Sequence, residues 1–136
     1  MKRTRSSERM LTKADHVRLR RLAAQLQPAA SQAVRPLLER SYLVPSPAIP
    51  ASVITMHTQV LLQDDFRGES SRITLCYPAD AEPARGFVSV LSPMGGSLVG
   101  AAGGDVVRWR TVGGEHRASR VVEVLFQPEA QGDYVR

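Results

Sequence analysis

The chain is poor in cysteine, in aromatic residues and in long apolar runs. Its 136 residues include one cysteine, Cys76, and 5% aromatic residues. A single cysteine excludes an internal disulfide and fits a reducing compartment, and we expect it to be a buried structural thiol. The core must therefore come from Val, Leu, Ile and Ala. No apolar run approaches the ~20 residues of a membrane span, and the basic start does not indicate a signal peptide. We expect a cytoplasmic protein.

Positive charge is concentrated near the N terminus. Residues 1–40 hold ten Lys and Arg against three Asp and Glu, whereas residues 41–136 hold eight against ten. A basic segment of this kind can attract nucleic acid or an acidic protein groove, or it can simply be solvated. On a helical wheel, four of these residues fall on the polar face of one amphipathic helix, namely Lys13, Arg18, Arg20 and Arg21.

The order of sequence patterns divides the chain into four parts. Thr12 and Asp15 resemble a capping box that opens a helix, and a second helical pattern follows from Ala30, interrupted or restarted by Pro36. Three prolines then mark a boundary. The predicted parts are a flexible basic N terminus (1–10), a short helical hairpin (11–44), a proline-rich linker (45–52) and a globular domain (53–136).

The globular part alternates short strands with turns. The predicted strands are 53–56, 60–63, 72–77, 87–90, 106–110 and 116–126. One short helix, 93–99, interrupts them, with Ser92 as its N-cap and Pro93 at its first position. The fold class predicted is α+β, with an N-terminal αα-hairpin and a small antiparallel or mixed sheet carrying one helix.

Few residues offer catalytic or metal chemistry. The three histidines share no short spacing, so a metal site has no support. The adjacent pair Asp64 and Asp65 fits a turn better than acid–base catalysis. Five glycines between residues 95 and 104 do not form a phosphate-binding motif. We therefore expect no catalytic residue, no metal and no cofactor.

Six ordered blocks carry a family resemblance. They are GESSRITL, in which the three middle positions are variable (68–75), PADAE (78–82), GFVSVLSPMG (86–95), LVG (98–100), GDVV (104–107) and GGE (113–115). Together they resemble the C-terminal domain of the Gre-type transcript-cleavage factors, which has an FKBP-like fold. The rest of the chain resembles one branch, the regulators of nucleoside diphosphate kinase, through LTKAD (11–15), IPASVITM (49–56) and QPEAQGDY (127–134).

The resemblance implies a partner and a docking geometry. Members of this family bind bacterial RNA polymerase near its secondary channel, with the globular domain on the rim and the hairpin pointing inward. By their place in the motif, Ser89, Ser92 and Pro93 are the candidate docking edge, and the basic helix face is a second candidate contact. We expect a monomer that meets nucleic acid at most indirectly, through the polymerase complex.

The hairpin tip departs from the Gre pattern. Gre-type factors help to hold a catalytic Mg²⁺ with an acidic tip on a long coiled coil, whereas residues 26–32 here read LQPAASQ and contain no Asp or Glu. Because Mg²⁺ requires carboxylate oxygens, transcript cleavage is not expected. The prediction is a polymerase-bound competitor of Gre-type factors.

Three other functions remain as alternatives. The family name makes direct or indirect regulation of nucleotide metabolism the main one. A prolyl isomerase would need a deep aromatic pocket, which seven aromatic residues scattered along the chain do not suggest. A stand-alone RNA-binding module is disfavoured by the net charge of the strand region and by the lack of interleaved aromatic and basic residues.

Overall fold

Two short helices and two short strands form the N-terminal part of the computed structural model, which describes residues 9–135. They are β1 (Met10–Thr12), α1 (Lys13–Ala24), α2 (Arg35–Arg40) and β2 (Tyr42–Val44). Most of the N terminus predicted to be flexible lies outside the described residues. The strands β1 and β2 form a parallel pair, which the sequence patterns did not predict because each strand has only three residues.

The helix boundaries follow from capping and from proline. The Thr12 Oγ1 accepts the N–H of Asp15 at 3.0 Å, so the predicted start of α1 is confirmed. The helix α2 is shorter than its sequence pattern, which begins at Ala30, because Pro36 has no N–H and fits only the first helical turn. Turns occupy most of the segment between the two helices.

A five-stranded sheet in the order β5-β4-β3-β7-β6 forms the globular part. Its strands are β3 (Gln59–Asp64), β4 (Ser70–Cys76), β5 (Phe87–Ser89), β6 (Val106–Arg110) and β7 (His116–Phe126). The pair β4–β5 is parallel and the other three pairs are antiparallel. One helix, α3 (Pro93–Leu98), follows β5. Single turns of 3₁₀ helix lie at Ser46–Ala48, Pro78–Asp80, Pro83–Arg85 and Glu129–Gln131. The predicted α+β class with one mixed sheet is confirmed.

The predicted strand 53–56 is wrong. Val53 forms only an isolated bridge with Ala102. Ile54 is held instead by two backbone hydrogen bonds, from its own N–H to Ala101 O and from Gly100 N–H to its carbonyl, both 2.8 Å. All four residues are buried, so the segment is an interior loop whose apolar side chains were mistaken for those of a strand.

One hydrophobic cluster joins both parts of the chain. Leu19 of α1 and Leu37 of α2 pack in the same cluster as Ile54, Leu98 of α3 and Val121 of β7. The sheet curls around this core, so its inner face is buried and its outer face is convex. The N-terminal helices are thus held against the globular part near α3.

Candidate partner-docking site

The predicted docking edge lies where β5 ends and α3 begins. The Ser92 hydroxyl donates to Ser89 O at 2.7 Å and accepts the Gly95 N–H at 3.0 Å, which caps α3. The Ser89 Oγ accepts the Leu91 N–H at 3.0 Å. The structure therefore brings Ser89, Ser92 and Pro93 together, but both hydroxyls serve local hydrogen bonds. Pro93 is the exposed member of the three.

Pro93 also lines an open groove of about 590 Å³. One wall is the turn between α1 and α2, with the small side chains Ala29, Ala30 and Ala33, and the other includes Arg108, Trp109 and Arg110 of the edge strand β6. Among the described residues, no acidic side chain lines this groove. Sequence analysis missed this groove because its walls are about 80 residues apart along the chain and no shared motif joins them. The groove offers an apolar floor with positive charge along one side.

Two glycines allow α3 to pack closely against the end of β5 and against Ala33 of the groove wall. A Cβ atom at Gly95 would lie 1.9 Å from Ser89 O, and one at Gly96 would lie 2.8 Å from the Ala33 Cβ. Both distances are shorter than the contacts that Cβ atoms make in proteins, so neither position can hold a side chain without a shift of its neighbours. The glycines are therefore packing residues, which agrees with the sequence-based rejection of a phosphate loop.

The predicted hairpin tip is folded onto the domain. Within 26–32, Ser31 is completely buried, and its Oγ accepts the Arg35 Nε–H at 3.1 Å. The neighbouring Val34 is also buried in the core. The tip therefore forms one wall of the groove and does not project as a long coiled coil.

The candidate basic face does not form one open surface. Lys13, Arg20 and Arg21 are exposed, whereas Arg18 is half-buried. The Arg18 side chain faces a small polar pocket of about 10 Å³ that Asp15 and Glu129 also line. Lys13, Arg20 and Arg21 therefore remain available to a partner. Arg18 instead lies where α1 packs against the globular part.

A buried carboxyl group fastens α1 to the interior loop 53–56. Asp15 is only 4% exposed, and its Oδ2 accepts the Met56 N–H at 3.1 Å. Nearby, the Thr55 hydroxyl donates to Glu129 Oε1 at 2.7 Å. Burial and, to a smaller extent, the negative charge of Glu129 raise the pKa of Asp15 to about 6, against the opposing effects of the Met56 hydrogen bond and Arg18. Sequence analysis read Asp15 only as half of a capping box.

The remaining titratable candidates are Cys76 and the residue types that can bind metal ions. Cys76 is buried, and burial is the main cause that raises the pKa of its thiol. Within residues 9–135, no three His, Cys, Asp or Glu side chains gather closely enough to hold a metal ion. In the same stretch of chain, no helix is long and apolar enough to cross a membrane.

Comparison with known proteins identifies the class of this fold. The family profile for the C-terminal domain of the transcription elongation factors GreA and GreB matches residues 49–126. The structure is similar to that of a prokaryotic transcription elongation factor GreA/GreB from Nitrosomonas europaea, with a TM-score of 0.73, 31% identity and coverage of 88% of this chain and 98% of that one. The chain belongs to the GreA/GreB C-terminal domain family.

Among individual proteins, the chain is similar to a regulator of nucleoside diphosphate kinase. It is 35% identical to the regulator from Escherichia coli K12 over 98 residues, which is 72% of each chain. It is also 27% identical to the elongation factor GreA of Treponema pallidum over 88 residues, which cover 65% of this chain and 52% of that protein. The relatives are thus named as regulators and elongation factors.

Proposed function

We propose that this protein is a transcription regulator that binds bacterial RNA polymerase through its GreA/GreB-type domain, near the secondary channel. The observation that carries the proposal is the structural likeness to a GreA/GreB factor over 98% of that factor's chain. The groove beside Pro93 supplies the proposed contact, because it combines apolar lining residues with the positive charge of Arg108 and Arg110. The proposal includes a monomer that acts in the cytoplasm, where its partner is.

The protein competes with Gre-type factors for this site and does not stimulate RNA cleavage. Its tip, 26–32, lacks carboxylates, and Ala33, which follows the tip, packs against Gly96 of α3, so the tip cannot help to hold Mg²⁺ at a distant catalytic centre. The division into a hairpin (11–44), a linker (45–52) and a docking domain (53–136) is part of the same proposal. Under it, the docking domain supplies affinity and the short N-terminal part shapes the groove.

A substitution at Pro93 tests the docking groove. Pro93→Glu places a negative charge on the groove wall, and we expect affinity for core RNA polymerase to fall about tenfold or more, because that charge must be desolvated on docking. Glutamate suits the first turn of a helix, so α3 should persist. Binding is measured by displacement of a labelled Gre-type factor.

The matched control is Pro47→Glu, at another exposed proline that opens a short helical turn. It should leave polymerase affinity within about twofold of the wild type. Equal losses in both variants, or no loss in Pro93→Glu, would show that the groove is not the docking surface.

Cleavage activity is predicted to be absent. When purified protein is added to a backtracked elongation complex with Mg²⁺, we expect no release of a 3′ RNA fragment above the level without it. A Gre-type factor serves as the positive control in the same reaction. Release that depends on this protein would refute the non-cleaving mechanism.

Direct regulation of nucleoside diphosphate kinase is the second candidate, favoured by the 35% identity to a protein of that name. It is distinguished by assaying purified kinase with and without this protein, in the absence of polymerase. A change in kinase activity under those conditions would support the second candidate. If the activity of the kinase is unchanged, any effect of this protein on nucleotide metabolism would act through transcription.

A further inference from the structure

Four of the five arginines within strands lie on the outer face of the sheet, and the fifth, Arg117, lies opposite Trp109 on the other face. The region 41–136 has eight basic residues and ten acidic ones. Five of its arginines lie within strands. Eight of its ten acidic residues lie in turns, in short 3₁₀ segments or next to them. Only Asp64, at the end of β3, and Glu123 of β7 are acidic residues within strands. The summed charge of the region therefore conceals a positive surface.

Strand register places four of these arginines in one oblique row. Arg72 of β4 pairs with Leu61, and Arg120 of β7 pairs with Gln63, two residues further along β3 on the same face. Arg120 also pairs with Val106 of β6, so Arg108 and Arg110 follow on that face. With strands about 4.8 Å apart and a rise of about 3.4 Å per residue, successive members lie about 12, 8 and 7 Å apart.

All four members of the arginine row are exposed. Among residues 9–135, no ion pair is recorded for any of them. Glu123 lies on the same face, beside Leu61 and off the line of the row. Four guanidinium groups on a polar face match a chain of phosphates, because a guanidinium group can donate two hydrogen bonds to one phosphate.

We propose that the arginine row binds the phosphate backbone of single-stranded RNA. The outer face is convex, and a flexible single strand can follow a convex surface that a rigid duplex touches only briefly. Gln63 and Arg120 lie at the centre of the face, and the apolar side chains beside them, Leu61 and Val106, are half-buried, so the centre offers no large exposed apolar anchor of the kind expected at a protein–protein interface. The choice of RNA rests on the proposed transcriptional function, since the transcript is the single strand near a polymerase.

An exposed aromatic ring borders the row. Phe66 is 68% exposed and lies in the β3–β4 turn. The neighbouring Asp65 N–H donates to the carbonyl of Ala118, the strand partner of Arg108, at 3.0 Å. A ring at this position can stack on a base without reading its sequence. The proposed direct contact with RNA goes beyond the sequence-based expectation, which was of only indirect contact with nucleic acid.

The test compares two double variants of equal charge. Arg72→Gln/Arg120→Gln removes two members of the row that do not line the docking groove, and Arg35→Gln/Arg40→Gln removes two exposed arginines of α2. Fluorescence anisotropy with a labelled single-stranded RNA of about 20 nucleotides, between about 50 and 200 mM NaCl, gives the affinity and its salt dependence. Thermal unfolding midpoints check that all proteins are folded.

We expect the row variant to bind this RNA about tenfold more weakly and its log–log salt slope to fall by about 1.4, which is about 0.7 for each lost phosphate contact. The α2 variant should retain both the affinity and the slope. Equal losses in the two variants would overturn the proposal, since net charge alone would explain them. Tighter binding of duplex DNA, or of polyglutamate, by the wild type would also overturn it. The assay contains no polymerase. A negative result would therefore overturn RNA binding by the arginine row and would not bear on the proposed displacement of Gre-type factors from polymerase.

Discussion

Replacing Gly95 by alanine should destabilise the protein by about 3 kcal/mol or more, although alanine is the better helix former. The added Cβ would lie 1.9 Å from Ser89 O and 3.0 Å from the Val90 Cα. Both are backbone atoms of the segment that leads from β5 into α3, so neither can move aside as the end of a flexible side chain could. The helix must shift, and the groove wall at Ala33 shifts with it.

The matched control is Gly103→Ala, since nothing lies within 4 Å of a Cβ built at that glycine and its φ is not in the left-handed region. We expect this change to alter the free energy of unfolding by less than about 1 kcal/mol. Urea denaturation of the wild type and both variants measures the difference. Similar stabilities for the two variants would mean that α3 does not pack as closely as described.

The second large effect is a pH dependence caused by Asp15. The pKa of Asp15 is about 6 in the folded protein, whereas the ordinary value for an aspartate is 3.8. The folded state therefore holds the proton more tightly than the unfolded state does. The stabilisation from the protonated carboxyl is complete below about pH 4 and is lost as the pH rises to about 6. The loss is about 3 kcal/mol.

Asp15→Asn removes this titration and keeps the size of the side chain. The variant should therefore gain stability relative to the wild type as the pH rises. The difference between their free energies of unfolding, variant minus wild type, should increase by about 3 kcal/mol from pH 4 to pH 7. Other groups around Asp15, including Glu129, Arg18, His57 and Tyr77, are present in both proteins, so the difference isolates Asp15. A difference that does not change with pH would contradict the buried position of the carboxyl.

Local chemistry explains which elements could be predicted from the sequence. Thr12 and Ser92 mark the starts of α1 and α3 because capping depends on neighbours three residues away. The strands β6 and β7 end at turn residues and had the predicted bounds. The loop 53–56 and the pair β1–β2 depend on contacts with distant segments, which sequence patterns do not contain.

The same distinction applies to the candidate sites. Ser92 and Pro93 are contiguous within one motif, so they could be singled out. The groove is lined by Ala33 and Trp109, which are distant in sequence and are brought together only by the fold. In the same way, Asp15 shares a pocket with Glu129, which lies 114 positions away in the sequence. The arginine row depends on strand register, which a sum of charges cannot reveal.

The central claim is that this protein and Gre-type factors share one site on RNA polymerase. The direct measurement is the anisotropy of a fluorescent Gre-type factor bound to bacterial core polymerase, as unlabelled protein is added. The account predicts that the signal falls to the value of the free factor, and that Pro93→Glu shifts the required concentration upward. Retention of the labelled factor at concentrations where this protein is itself bound to the polymerase would contradict a shared site, and failure of this protein to bind at all would contradict the proposed function.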